Sequence, residues 1–285
     1  MTSVVVTVAD VRNAVATARA DGKRIGLVPT MGALHHGHAE LIRAAKRACE
    51  FVVVSVFVNP TQFGPQEDFA RYPRTLDADR QISADAGAEL IFAPTPTQMY
   101  PEGFVTFVEV TQLDQVLCGP SRPGHFRGVA TVVLKLFNIV LPDVAVFGAK
   151  DAQQSIIIRR MVRDLNVPVI VQVEATIREE DGLAMSSRNR YLSAEERAVA
   201  PRIYEALRAV QLRAAAGEFD ISRLESELRA SLNAIPSARV DYASILDEDS
   251  LRPMSQLDRP ALAAVAVFLG TTRLIDNVIL LPSPT

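Results

Sequence analysis

Along the first ~175 residues the apolar positions fall into two alternating rhythms. Short continuous runs at residues 25–28, 51–58 (FVVVSVFV), 88–92, 144–147 and 168–173 read as strands, that at 25–28 buried and that at 51–58 buried on both faces. Between them, apolar residues at helical spacing predict helices over 11–20, after His38 (Leu41, Ile42, Ala45, Cys49), and over 75–86, 125–140 and 151–165. Pro29 is expected to end the strand that begins at Ile25, and Asn59-Pro60 the next, with a polar loop over 61–74. Residues 104–110 suggest a short antiparallel excursion. Regular alternation of strand and helix argues for βαβ units and a parallel sheet.

The pattern changes beyond residue 176. Ser193 and Glu196 form a capping box that opens a long helix to about Ala216, Gly217 ends it, and Asp220 caps a second helix to about Asn233. Residues 240–246, 261–269 and 274–280 then alternate as strands. The expected organisation is α/β: a Rossmann-like parallel-sheet domain over 1–176 and a smaller α+β domain over 177–285.

Composition narrows the function classes. The 285 residues are 48% hydrophobic and 22% charged with a net charge of −3, so no basic field exists for nucleic acid or an anionic membrane. Cys49 and Cys118 have no metal-ligand spacing and suit a reducing compartment. No signal peptide and no membrane span of about 20 apolar residues is expected, which points to a cytoplasmic protein.

The chemistry concentrates where the strand at 25–28 gives way to a helix through a small-residue loop and His35-His36-Gly37-His38. Ligands of open α/β sheets bind at such carboxyl ends, and a helix N-terminus offers unpaired N–H groups to phosphate. The i, i+3 pair His35/His38 could instead ligate a metal, cap or pack; a zinc site would need a third ligand, and no HExxH or cysteine pair supplies one. No GxGxxG follows any strand, which argues against a dinucleotide dehydrogenase. Lys150 stands at a strand's end as a point charge for phosphate, and Asp151 with Gln154 reads equally as a helix cap. Gly182 to Asn189 places Ser186, Ser187 and Arg188 in a glycine-flanked loop that could close over a triphosphate or serve as a linker. Gln62 follows Asn59 beyond a strand, where its amide can donate and accept in a cleft. Tyr72 and Arg74 stand nearby, and Asp79 lies on a charged helix, where a solvated face is the ordinary role.

Taken in order, PTMGALHHGH, FVNPTQFG, YPRT, SRPGHFRGV, FGAKDAQQ, DGLAMSSRNRYL and FLGTTRLIDN resemble the pantoate–β-alanine ligase family, within the nucleotidylyl-transferase superfamily. That resemblance implies ATP-dependent ligation of pantoate and β-alanine through a pantoyl adenylate, with magnesium alongside the phosphates and a homodimer as the working form. It implies that His35, His38, Lys150, Ser186, Ser187 and Arg188 serve the phosphates, and that Pro29, Thr30, Met31, Gly148, Asp151, Ile177 and Met185 complete the ATP site. Gln62 and Gln154 would grip pantoate, with Met31, Asn59, Tyr72, Arg122 and His125 around the acyl substrates, and Asp79 is a candidate magnesium ligand. Ala149 and Ala152 depart from the family's usual Gly-Glu-Lys-Asp-aromatic pattern, and His36 replaces what is often an acidic residue. One rival is another small-molecule adenylyltransferase, against which the neutral pair Gln62/Gln154 argues, because a phosphorylated acceptor would call for more cations. A second is an idle nucleotide-binding protein, against which the intact histidine, lysine and arginine set argues.

Overall fold

A computed structural model describes residues 2–64 and 69–282. The chain divides into two compact units. One comprises the residues up to Gln115 with Gly119–Ala149 and Ile157–Ala175; the other comprises Val116–Cys118, Lys150–Ile156 and the chain from Thr176 onward.

The first unit is built on β1 (Ser3–Val5), α1 (Val8–Ala20), β2 (Ile25–Thr30), α2 (His36–Ala48), β3 (Phe51–Val56), α3 (Leu76–Asp85), β4 (Leu90–Phe92), α4 (Pro96–Met99), α5 (His125–Val140), β5 (Val144–Gly148), the later part of α6 (Ala152–Asp164) and β6 (Ile170–Glu174). Its six strands are all parallel, in the order β1-β4-β3-β2-β5-β6. The chain therefore winds one way from β2 to β3 and β4, then resumes on the other side of β2 with β5 and β6. The reversal between β2 and β5 is the switch point at which open α/β sheets bind ligands. Strands buried on both faces need continuous apolar runs, and Ile25, Leu27, Val28, Val52, Val53 and Val54 supply them without exposure. Ile42 and Ala45 seat α2 on Val28, Val52, Val54, Ile91 and Val146, which fixes where the helix begins relative to the sheet.

The second unit holds α7 (Ala194–Val199), α8 (Arg202–Ala215), α9 (Ile221–Asn233) and an antiparallel sheet of β7 (Ala238–Asp247), β8 (Ala261–Leu269) and β9 (Thr272–Leu280). Ile203, Leu207 and Val210 on α8 and Leu224, Leu228 and Leu232 on α9 bury against Ile245, Ala263, Val265 and Leu269.

Four local expectations are corrected. β2 runs through Pro29 to Thr30. At that point the strand is paired with β3 alone, because its register with β5 covers only Gly26 and Leu27, so the missing proline N–H interrupts no second ladder. Residues 104–110 form no strand; Val108 N instead donates to Thr131 Oγ1 at 2.9 Å. The long helix expected to open at Ser193 keeps its capping box, with Glu196 N to Ser193 Oγ at 3.2 Å and Ser193 N to Glu196 Oε2 at 2.9 Å. It breaks at Ala200-Pro201 into α7 and α8, since Pro201 brings no N–H and its ring crowds the preceding turn. Finally, the loop expected over 61–74 contains two short 3-10 turns, Pro60–Gln62 and Phe69–Arg71, while residues 65–68 lie outside the described part. Among the described residues no helix is long and apolar enough to cross a membrane.

Candidate active site

β2 ends in a loop whose backbone is unusual at two successive residues: Gly32 has φ 79° and Ala33 φ 52°. A left-handed alanine costs about 1–2 kcal/mol, so something must hold it. Asp79, on α3, does so. Its Oδ2 accepts from Ala33 N at 3.1 Å and its Oδ1 from Leu34 N at 2.8 Å, and Thr75 Oγ1 donates to Oδ1 at 3.1 Å. A Cβ at Gly32 would stand 3.0 Å from both Asp79 Oδ2 and Val56 Cγ1, so the loop closes on the carboxylate only with glycine there. Below it, Thr30 Oγ1 accepts from Gly32 N at 3.1 Å and donates to Ser55 O at 2.6 Å.

This corrects the expectation for Asp79. It is 1% exposed, not on a solvated face, and its oxygens are committed to backbone N–H groups and a hydroxyl rather than to a cation. Among the described residues no group of three or more histidine, cysteine, aspartate or glutamate side chains could hold a metal ion. With its oxygens on those three donors, Asp79 is a holder of the histidine loop in this structure.

The loop delivers His35 as the N-cap of α2. His35 Nδ1 accepts from Gly37 N at 3.1 Å, and His38 Nδ1 accepts from His35 N at 3.3 Å, a reciprocal cap made by two imidazoles. The rings lie 4.1 Å apart, tilted by 45°. A neutral ring whose Nδ1 accepts must carry its proton on Nε2, so each ring is set to donate from Nε2. His38 N and Ala39 N both donate to His35 O, at 2.9 and 3.1 Å. The first-turn N–H groups that the sequence suggested for phosphate are thus already taken at Gly37, His38 and Ala39, and the histidine rings are what the helix start presents. His36 turns outward, its Nε2 3.8 Å from Glu40.

A second constellation in the same unit joins Asn59, Gln62, Arg122 and His125. Asn59 Nδ2 donates to Gln62 Oε1 at 2.9 Å and to Gly128 O at 3.2 Å, while Asn59 Oδ1 accepts from Thr61 Oγ1 at 3.0 Å and Tyr100 Oη at 2.9 Å. With Oε1 held by Asn59, the NH2 of Gln62 becomes its donor end. Arg122 Nη2 and His125 Nδ1 both bond the backbone carbonyl of Gln62, at 3.3 and 2.9 Å, and Arg122 Nη1 lies 3.0 Å from His125 Nε2. His125 is therefore the Nδ1–H tautomer, donating to the carbonyl and accepting from the guanidinium. Gly128 permits this packing: a Cβ there would stand 2.3 Å from Thr61 O. Tyr72 is buried with its ring edge-on to Phe63. Tyr100 was not singled out in the sequence. Burial raises its pKa, which keeps its hydroxyl a donor to Asn59.

Gly148 closes β5 in the first unit, whereas Lys150, Asp151 and Gln154 belong to the second. Ala149–Asp151 form a 3-10 turn running straight into α6, so Asp151 lies inside a helical turn rather than ahead of the helix as its cap. Neighbouring Gln153 is the buried glutamine here: its Oε1 accepts from Cys118 N at 3.0 Å and its Nε2 donates to Val116 O at 2.7 Å. The later loop is a small hairpin closed by Met185 N to Ile177 O at 2.9 Å, and Ser186 caps a 3-10 turn over Ser187–Tyr191 by accepting from Arg188 N at 3.2 Å. Asn189 Nδ2 ties that turn to Glu179 Oε1 at 2.7 Å and Ala184 O at 3.1 Å.

A doubly wound parallel sheet with donor-bearing side chains at its switch point defines an α/β protein of the Rossmann-like kind. The model of one family, pantoate-β-alanine ligase, matches residues 3–279. The pantothenate synthetase of Moorella thermoacetica is 53% identical over 274 residues, covering 96% of this chain and 97% of that protein. That of Pseudomonas putida is 53% identical over 276 residues and 96% of each chain. Among solved structures, the pantothenate synthetase of Thermus thermophilus superposes with a TM-score of 0.93 at 48% identity, over 99% of this chain and 100% of that one. The Francisella tularensis pantoate-beta-alanine ligase, complexed with beta-gamma ATP and beta-alanine, superposes with a TM-score of 0.79 at 33% identity over 98% of both chains. This chain belongs to the pantoate–β-alanine ligase family.

Proposed function

We infer that the chain joins pantoate to β-alanine at the expense of ATP, giving pantothenate, AMP and pyrophosphate through an enzyme-bound pantoyl adenylate. The family match across residues 3–279 carries this reading. In the first half-reaction a carboxylate oxygen of pantoate attacks the α-phosphorus, and the bond from that phosphorus to the bridging oxygen breaks, releasing pyrophosphate. In the second, the β-alanine amine attacks the acyl carbon, the C–O bond to phosphate breaks, AMP leaves, and the nitrogen loses its extra proton. The protein's task is positioning and charge stabilisation rather than covalent chemistry.

The roles proposed for individual side chains follow the donor inventory. His35 and His38 donate from Nε2 to phosphate oxygens, which suits the tautomers their capping bonds impose. The NH2 of Gln62, aligned by Asn59, donates to pantoate, and Gln154 is its partner for that substrate; both are neutral, as a hydroxy acid requires. Arg122 and His125 act through the Gln62 carbonyl, and Tyr72 and Met31 give the acyl substrate apolar surface. Lys150, Ser186, Ser187 and Arg188 neutralise the phosphates, with Pro29, Thr30, Gly148, Asp151, Ile177 and Met185 around the nucleotide. Magnesium enters as part of the nucleotide substrate, held by phosphate oxygens and water, as this cation prefers. The working form is a cytoplasmic homodimer, which light scattering of the purified protein would read.

The test is pantoate-dependent exchange of labelled pyrophosphate into ATP with magnesium present and β-alanine absent. Exchange, followed by AMP and pantothenate once β-alanine is added, is the expected result. Absence of exchange in folded, ATP-binding protein would remove pantoate as the acyl substrate.

A further inference from the structure

One motif at the far end of the chain, Leu274-Ile275-Asp276-Asn277 on β9, lies outside the chemistry assigned above, yet its two polar residues are buried, at 4% and 9% exposure. We propose that Asp276 and Asn277 are positioning residues that hold the two phosphate-facing segments of the second unit, Lys150 and the Ser186–Arg188 loop, in one register for adenylation. This rests on the roles given above to those two segments.

Asp276 grips the hairpin that carries the loop. Arg178 Nη1 donates to Asp276 Oδ2 at 2.7 Å and Nη2 to Oδ1 at 3.0 Å, a two-pronged pair with the carboxylate almost fully buried. The same guanidinium donates to Gly182 O at 3.1 Å and stacks 3.5 Å over the Tyr204 ring. Arg178 in turn bridges to Ala184, one residue before Met185. The hairpin bearing Ser186, Ser187 and Arg188 is therefore anchored at its base to a single carboxylate on β9. The next residue grips the other segment: Asn277 Nδ2 donates to the backbone carbonyl of Lys150 at 3.0 Å. Asn277 N also donates to Asp276 Oδ1 at 2.8 Å, so the two anchors are bonded to each other.

Neighbouring residues of a strand project to opposite faces, so two successive positions can hold two segments at once without competing for space. Neither anchor would touch the nucleotide itself. Their effect would come through Lys150, Ser186, Ser187 and Arg188, whose charge stabilisation matters while pyrophosphate is leaving and much less once it has gone.

The two half-reactions separate this role from simple scaffolding. Asn277→Ala removes the hydrogen bond to the Lys150 carbonyl and no charge; Asp276→Asn keeps the shape and removes the charge facing Arg178. Each should lower pantoate-dependent pyrophosphate exchange by roughly 10- to 100-fold, the usual effect of a small misplacement of catalytic groups. Consumption of preformed pantoyl adenylate by β-alanine should stay within about 2-fold of the unmodified enzyme, and thermal melting of Asn277→Ala should be nearly unchanged. Parallel loss of both half-reactions, or loss of neither, overturns the proposal. Should Asp276→Asn fail to fold, the Asn277→Ala result decides alone. Lys150→Ala run beside them locates a failure: unchanged adenylation there refutes the phosphate role of Lys150. Loss of adenylation there, with Asp276→Asn and Asn277→Ala both unaffected, refutes only the anchoring role.

Discussion

Replacing Asp79 by alanine would remove three hydrogen bonds from a carboxylate that is almost wholly buried and leave Ala33 N and Leu34 N facing the vacated space. An unsatisfied buried donor costs about 1–3 kcal/mol, so two of them could cost about 2–6 kcal/mol if the loop stayed put. The loop has a cheaper course. Ala33 is held in a left-handed conformation worth about 1–2 kcal/mol of strain, and letting it relax while water reaches the freed N–H groups limits the loss. The expected stability change is therefore near the bottom of that range, about 2 kcal/mol, with the loop moved. His35 is one residue beyond the Asp79-bound segment, so its ring and the cap it shares with His38 move too. A displacement near 1 Å there predicts about a 100-fold fall in pyrophosphate exchange. Asp79→Asn should fall between the two, because its amide can accept from only one of the N–H groups and turns its NH2 toward the other. The assay is pyrophosphate exchange titrated with both ATP and magnesium, alongside urea unfolding. If the variant's whole defect were a raised magnesium requirement, cured by excess magnesium, Asp79 would be a metal ligand and this reasoning would be refuted.

Gln62→Ala should raise the KM for pantoate by about 10-fold or more while changing that for ATP little, if the aligned amide serves the hydroxy acid as proposed; equal loss of both in steady-state kinetics would contradict its assignment. His38→Ala should cut adenylate formation and also loosen the start of α2, whereas His36→Ala, with an outward ring, should leave turnover near its normal value; rapid-quench measurement of adenylate distinguishes them. Burial pushes the Asp247 carboxyl up, but hydrogen bonds from Ser250 and Arg259 outweigh it and hold its pKa at about 2. A carboxylate depressed in the folded state stabilises above its ordinary pKa near 4 and loses that contribution as pH falls toward 2. Asp247→Asn should thus be less stable than the unmodified protein at pH 6 in urea unfolding, with the gap closing as pH approaches 2.

Legibility followed the reach of each interaction. The helix expected over 125–140 is α5 to the residue, because it is densely apolar throughout and Gly124 marks its start. Strands β3 and β5 were equally plain, since burial on both faces writes itself as consecutive valines and alanines. The β-branched and aromatic residues of 104–110 suit a strand, but they say nothing about whether an edge is available for pairing. Pro201 sat inside a helical pattern whose apolar spacing continued past it, so the break was masked by the very rhythm that predicted the helix. The candidate site divided the same way. His35, His38 and Gln62 stand out by residue type and local spacing, whereas Asn59, in an ordinary Asn-Pro turn, enters only through the family resemblance. The contact of Asp79 with the histidine loop spans 45 and 46 residues of chain, and that of Tyr100 with Asn59 spans 41, so neither left a local signature. The i, i+3 spacing of His35 and His38 did carry a signal of reciprocal capping, which serine or threonine with glutamate usually provides.

That cap couples proton placement to the birth of a helix. At the start of α2 both Nδ1 atoms face backbone N–H groups as acceptors, which favours the Nε2–H tautomer of each neutral ring. A ligand bound at these rings, as proposed, would meet Nε2–H donors that the cap already favours. The same coupling narrows what could replace either histidine. A lysine would supply charge but no acceptor for the cap, and a serine would supply the acceptor but not the reach.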